Sequence, residues 1–242
     1  MLFTKYEGCD YREFSLYGRR TIIVEPKEAL PGAPWVWRAE FFDAFPSVDR
    51  ALLKAGFHLA YHSVSNRYGD PVSVELMEHF REWFTDTCKV SAKPVIFGFS
   101  RGGLDSVNYA LKYPAHTGAL YLDAPVLDFR SWPRGTGPYE REWKECLSCY
   151  GLTEETVGAF RGTPLDRAAE LAALDIPTLI VAGEADHVVP SAENLDPFER
   201  AYKAAGGTNL SVIRKPHCDH HPHSLEDPAP ITAWILRALQ IG

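Results

Sequence analysis

The sequence has no apolar run long enough to span a bilayer, and its opening residues, Met1-Leu2-Phe3-Thr4-Lys5-Tyr6-Glu7, carry neither a basic leader nor the apolar stretch of a signal peptide. A cytoplasmic protein that does not engage membranes is expected. Basic stretches interleaved with aromatics are also missing. Acidic residues outnumber basic ones, 32 to 25, for a net charge of −7, which makes nucleic acid a poor partner. Cysteine is sparse: Cys9, Cys88, Cys146, Cys149 and Cys218 are an odd number in a chain too large to need covalent staples, so reduced thiols are expected. Internal repeats and low-complexity tracts are lacking, which excludes repeat architectures.

What is present is enough apolar content, 45% of 242 residues, to bury one large core. A single domain over 1–242 with an insertion is expected. Thr21-Ile22-Ile23-Val24 reads as a β-branched strand, and the Pro- and Gly-rich segment to Pro34 as a loop leading into a strand at Trp35-Val36-Trp37. Ser47 is expected to cap a helix running to Lys54, Gly56 ends it, and Phe57 to Tyr61 resumes strand character. Between Val72 and Cys88, Leu76, Phe80, Trp83 and Phe84 recur at helical spacing and mark a core-facing helix. A strand over 93–98, a helix over 104–113 and a strand at Ala119-Leu120-Tyr121-Leu122 follow. From about 128 to 173 the pattern changes, with Trp132, Pro133, Gly135, Gly137, Pro138, Tyr139 and Trp143 preceding two polar helical stretches. This segment is expected to be an inserted cap. Strand character returns at Pro177 to Ala182 and at Leu210 to Ile213, with helices at 198–205 and 229–241. Strands alternating with helices imply an α/β fold with parallel pairing and right-handed crossovers.

Gly98-Phe99-Ser100-Arg101-Gly102 falls between the strand at Val95 and the helix that ends near Tyr113. A strained strand-to-helix turn there exposes a serine, and it needs small residues two before and two after it, because side chains at those positions collide as the backbone bends. A serine hydroxyl is a weak nucleophile until an imidazole removes its proton, and that imidazole needs a carboxylate to hold its tautomer. Asp186, in Gly183-Glu184-Ala185-Asp186-His187-Val188-Val189-Pro190, follows the strand at Ile180 and falls on the same sheet edge as Ser100. Asp123, at the end of the preceding strand, is the rival acid. The loop Pro216-His217-Cys218-Asp219-His220-His221-Pro222-His223 after the last strand supplies the histidines.

With these three motifs in the order Ser, Asp, His, the chain resembles the α/β-hydrolases, and is similar to the small esterases grouped with dienelactone-hydrolase-like and prolyl-oligopeptidase-like catalytic domains. The resemblance runs from the strand at Thr21 to the final helix. It implies an α/β-hydrolase fold: a mostly parallel central sheet, helices on both faces and a small helical cap. By motif position it implies Ser100 as nucleophile, Asp186 as acid and His220 as base, with His217, His221 and His223 as alternatives. Two departures stand out. Asp219 occupies the place before the histidine where such enzymes often have glycine, and the His-Gly oxyanion loop is replaced by Trp35-Val36-Trp37-Arg38.

An oxyanion hole needs two N–H donors, one normally from the residue after the nucleophile. Arg101 is expected to supply the first, and Trp37 or Arg38 the second. The Arg38 guanidinium either reaches a substrate oxygen or forms a salt bridge pinning its loop. The side chain of Arg101 has the same two roles open to it. Trp132, Tyr139 and Trp143 either contact substrate or hold cap to core. Cys146-Leu147-Ser148-Cys149, taken with Cys218 and the histidines, invites a zinc reading, but only one C-x-x-C is present and it lies in a helix-like stretch. No metal and no organic cofactor are expected. The implied activity is hydrolysis of carboxylic esters through an acyl-enzyme, with a small polar ester such as an acylated carbohydrate as substrate. A peptidase or amidase, or a non-catalytic ligand-binding protein, are the alternatives.

Overall fold

Two layers of helix cover the faces of one nine-stranded sheet in the computed structural model, which describes residues 2–134 and 138–241. The sheet begins with an antiparallel hairpin, β1 (Leu2–Tyr6) and β2 (Cys9–Leu16), continued by β3 (Arg19–Glu25). This hairpin is not evident in the sequence: Lys5, Asp10, Arg12 and Glu13 interrupt its apolar residues, and β2 is half-buried along most of its length.

The remaining elements follow the expected alternation. They are β4 (Trp35–Arg38), α1 (Ser47–Lys54), β5 (His58–His62), α2 (Pro71–Cys88), β6 (Val95–Phe99), α3 (Gly102–Lys112), β7 (Ala119–Asp123), α4 (Glu140–Tyr150), α5 (Ala168–Ala173), β8 (Thr178–Gly183), α6 (Leu195–Ala204), β9 (Leu210–Lys215) and α7 (Ala229–Ala238). Strand order is β1-β2-β3-β5-β4-β6-β7-β8-β9. β5 runs antiparallel to β3, and every pairing from β5 through β9 is parallel. The carboxyl ends of β4, β6, β7, β8 and β9 therefore share one edge, where the loops that follow them meet.

Side-chain alternation along the strands decides which helix each residue faces. Trp35, Trp37, Ile96, Leu120 and Ile180 pack beneath α2, α3, α5 and α6 with Phe80, Phe84, Val107, Leu171 and Phe198. Val36, Val95, Phe97, Tyr121 and Leu179 face α1 and α7, meeting Leu52, Ile231 and Ile235. The longest helix, α2, starts where the Asp70 carboxylate accepts the Ser73 N–H at 2.8 Å, with Pro71 in its first turn, and it ends at Lys89 in a left-handed conformation.

Between β7 and β8 lies the long segment expected to be a cap, with an apolar cluster of its own. Phe129, Trp132, Trp143, Cys146, Leu147 and Val157 close over Tyr68, Leu104 and Val189. Its final helix, α5, joins the main core through Ala168, Leu171 and Ala172 and packs on α6. Gly135 and Gly137, part of the pattern that marks this segment in the sequence, lie outside the described residues. Among the described residues no helix is long and apolar enough to cross a membrane.

Candidate active site

β6 ends at Phe99, and the backbone turns at Ser100 with φ 50°, a left-handed conformation that costs a non-glycine residue about 1–3 kcal/mol and is held only by its surroundings. Those surroundings are specific. The Ser100 N–H donates to the Asp123 carbonyl at 2.9 Å, and the Ser100 carbonyl accepts from Val126 N–H at 2.9 Å and Gly103 N–H at 3.0 Å. Of the two expected small positions, Gly98 is required by close approach, since a Cβ there would sit 2.6 Å from Ser106 Oγ, whereas Gly102 has more room, a Cβ there lying 3.1 Å from Glu40 Cβ. The tighter glycine on that side is Gly103, whose Cβ would sit 2.6 Å from Pro125 Cβ. The turn lifts the serine hydroxyl to the edge where the loops after β8 and β9 arrive.

There the Ser100 hydroxyl lies 3.0 Å from His220 Nε2, and His220 Nδ1 lies 2.8 Å from Asp186 Oδ2. Asp186 is buried, and its other oxygen accepts the N–H groups of Val188 and Val189 at 2.8 and 2.7 Å, so both lone-pair directions are fixed. A buried carboxylate hydrogen-bonded on both oxygens holds an imidazole in the Nδ1–H tautomer, leaving the Nε2 lone pair toward the serine. Asp219, the departure from glycine, staples the two loops together. Its Oδ1 accepts His187 N–H at 2.9 Å and His220 N–H at 2.7 Å, and those donors hold its carboxyl below the usual range. The chain crosses so tightly here that a Cβ on Gly183 would stand 2.3 Å from the Cys218 carbonyl oxygen.

The other histidines of the loop separate by environment. His223 is buried and forms a second Asp–His pair, Nδ1 to Asp123 Oδ1 at 2.8 Å. Asp123 Oδ2 accepts the Tyr121 hydroxyl at 2.8 Å and Ser224 N–H at 2.9 Å. Asp123, the rival acid, is thus committed to His223 and to the loop backbone. His221 is exposed and stacks on Phe45, and His217 is exposed.

The expected second oxyanion donors are not available. Trp37 and Arg38 lie inside a strand paired on both edges, which uses their N–H groups in the ladder. The next free donor is the N–H of Glu40, which has no acceptor among the described residues and lies 3.4 Å from where a Cβ on Gly102 would sit. Arg101 N–H, beside the serine, likewise has no acceptor among them. Where the β4 ladder ends is set by pairing, which no periodicity in a four-residue strand reveals.

Arg38 does not face substrate. Its side chain is wholly buried, forks onto Asp49 at 2.8 and 2.9 Å, donates to the Ala44 carbonyl at 2.6 Å and stacks 3.9 Å over Phe99. It pins the loop between β4 and α1. Arg101 pairs with the buried Glu40 at 3.2 Å and donates to Asn66 at 3.1 Å, on the rim beside Ser100. Trp143 is buried in the cluster formed by the segment between β7 and β8, with its indole N–H on Glu154. Trp132 meets Tyr68 and Tyr139 in the layer that also holds Val188 and Val189 of the acid loop. Cys146 and Cys149 sit on α4 and do not join the histidines, and all five cysteines are free thiols.

No family model matches the chain. No curated protein matches it either. Solved structures do. A puromycin-hydrolyzing peptidase of Mycobacterium tuberculosis superimposes with a TM-score of 0.73 at 16% identity over 97% of this chain and 40% of its own. The dipeptidyl peptidase 4 of Porphyromonas gingivalis gives 0.69 at 16% identity over 96% and 35%. This chain therefore spans well under half the length of those two peptidases. An S-formylglutathione hydrolase of Agrobacterium tumefaciens gives 0.63 at 15% identity, with 99% and 96% of the two chains covered. The sheet order, the turn at Ser100 and these likenesses define an α/β-hydrolase fold.

Proposed function

We propose that the protein is a serine hydrolase that cleaves carboxylic esters through an acyl-enzyme. The observation that carries this reading is the unbroken line from Ser100 Oγ to His220 Nε2 and from His220 Nδ1 to Asp186, with spacings of 3.0 and 2.8 Å. Ser100 attacks the ester carbonyl as His220 takes its proton. Asp186 stabilises the imidazolium that results, and Arg101 N–H and Glu40 N–H receive the developing oxyanion. His220 then protonates the leaving alcohol and activates the water that releases the acid. These steps use only groups of this chain, so the reading calls for no cofactor.

The proposed substrate is a small to medium polar ester, with an acylated carbohydrate the first to try. Trp132 and Tyr139, packed beside the acid loop, and the guanidinium of Arg101 supply the aromatic and cationic groups such a ligand uses. A peptidase reading is favoured by the two peptidase likenesses. The five cysteines, all free thiols, support a reducing, cytoplasmic location.

A fluorophosphonate probe is expected to label the wild type and not Ser100→Ala, with the modified residue located by peptide mass. A folded wild type that resists the probe sinks the reading and favours a binding protein. p-Nitrophenyl acetate, butyrate and octanoate, acetylated sugars and aminoacyl amides then sort ester from amide substrates. His220→Ala is expected to lose about 10⁴-fold or more in kcat/KM.

A further inference from the structure

His220, His221 and His223 each offer one ring nitrogen within 4.8 Å of the other two. Two of the three already carry the supporting partner that metal-ligating histidines need. His220 Nδ1 is on Asp186 and His223 Nδ1 on Asp123, each at 2.8 Å. With Nδ1 occupied by a carboxylate, Nε2 is the lone pair left to ligate, and the carboxylate raises its basicity. The third, His221, is exposed, and its ring lies 5.3 Å from Phe45, stacked at 18°. The ring pairs His220–His221, His220–His223 and His221–His223 are 4.9, 4.9 and 4.8 Å apart between centroids.

We propose that these three imidazoles form an inhibitory site for a zinc-class divalent cation, the three nitrogens ligating while His220 is withdrawn from Ser100. An all-imidazole donor set suits zinc rather than magnesium or calcium, which take oxygen ligands. A tetrahedral zinc with Zn–N of ~2.0–2.1 Å places its ligand atoms roughly 3.3 Å apart, so the exposed His221 ring has to swing inward by about 1–2 Å. The fourth position is left to water. Once its Nε2 lone pair is on the metal, His220 cannot accept the Ser100 proton, and the acyl-transfer chemistry stops without any change in fold. The inhibitory part rests on the hydrolase reading above; the metal site itself does not.

The test uses untagged, chelator-stripped protein and zinc chloride. Calorimetry is expected to show one saturable site, cobalt to show tetrahedral ligand-field bands displaced by zinc, and zinc to slow fluorophosphonate labelling of Ser100 with the same midpoint, reversibly with EDTA. His221→Ala is expected to weaken both binding and inhibition about ten-fold or more, while labelling at the wild-type rate when zinc is absent. Absence of saturable binding, unchanged affinity in His221→Ala, or zinc-saturated protein that labels at full speed each overturns the proposal. A wild type that never labels would defeat the hydrolase reading and with it the inhibition, whereas calorimetry on the wild type and His221→Ala would still decide the metal site.

Discussion

Asp105 is wholly buried on α3, where its Oδ1 accepts Gly69 N–H at 3.1 Å. Burial, and then the nearby Glu40 carboxylate, push its pKa up to about 8 against the weaker pull of Ser73, Arg101 and the Gly69 N–H. In the unfolded chain the same group has the ordinary value of 3.8, so between the two the folded protein holds a proton that the unfolded chain has released. The stability this group contributes is complete below about pH 4 and is lost as pH rises through 8. Asp105→Asn keeps the shape and the acceptor without the charge. Its melting temperature should exceed that of the wild type by a margin that widens from acid to mildly alkaline pH, and a margin independent of pH would count against this account. Arg38 makes the opposite case, a charge buried with its partner. Arg38→Ala leaves Asp49 uncompensated, and urea denaturation is expected to show a loss of about 3–5 kcal/mol, with much of it recovered in Arg38→Met combined with Asp49→Leu. At this scale the sequence was informative about Ser100, whose small neighbours announce the turn. It was silent on whether Arg38 turns inward or outward, because an arginine is written the same way in both cases.

Among elements, the crossing of the β8 and β9 loops positions the histidine. Gly183→Ala puts a methyl group 2.3 Å from the Cys218 carbonyl and must drive the loop outward, lengthening the 3.0 Å contact between His220 and Ser100. Fluorophosphonate labelling of Ser100 is expected to slow about 100-fold, with a lower melting temperature, since displacement of a catalytic group by about 1 Å has that effect. Gly158→Ala, where nothing stands within 4 Å, is the matched control and should leave both unchanged. Element type was legible wherever apolar residues repeat over many turns or fill a strand, as in α2 and β7. The β1–β2 hairpin was not, because a half-buried edge ribbon spends its side chains on ion pairs such as Lys5–Asp10 and Arg12–Glu25. Nor was the end of β4, on which the free N–H of Glu40 depends.

Across the whole molecule the sheet grades from a doubly covered centre to an exposed rim. Every residue of β6, β7 and β8 is buried, whereas β1 is an edge strand with Leu2 56% exposed. Native-state hydrogen exchange is expected to find the amides of β6 to β8 opening only with global unfolding and those of β1 at much lower free energy; uniform protection across the sheet would contradict that grading. By itself the sequence determined the alternating α/β plan, the glycine-flanked turn at Ser100 and the placing of an acidic and a histidine-rich loop on the same edge. Those follow from side-chain period, turn residues and the order of parallel strands, all of which are local or topological. Only the tertiary structure decided that His220 rather than His221 or His223 meets Ser100, that Asp123 belongs to His223, and that Arg38 and Trp143 are interior. Such choices turn on ångström-scale distances between segments up to 120 residues apart, set by how the loops pack rather than by any pattern along the chain.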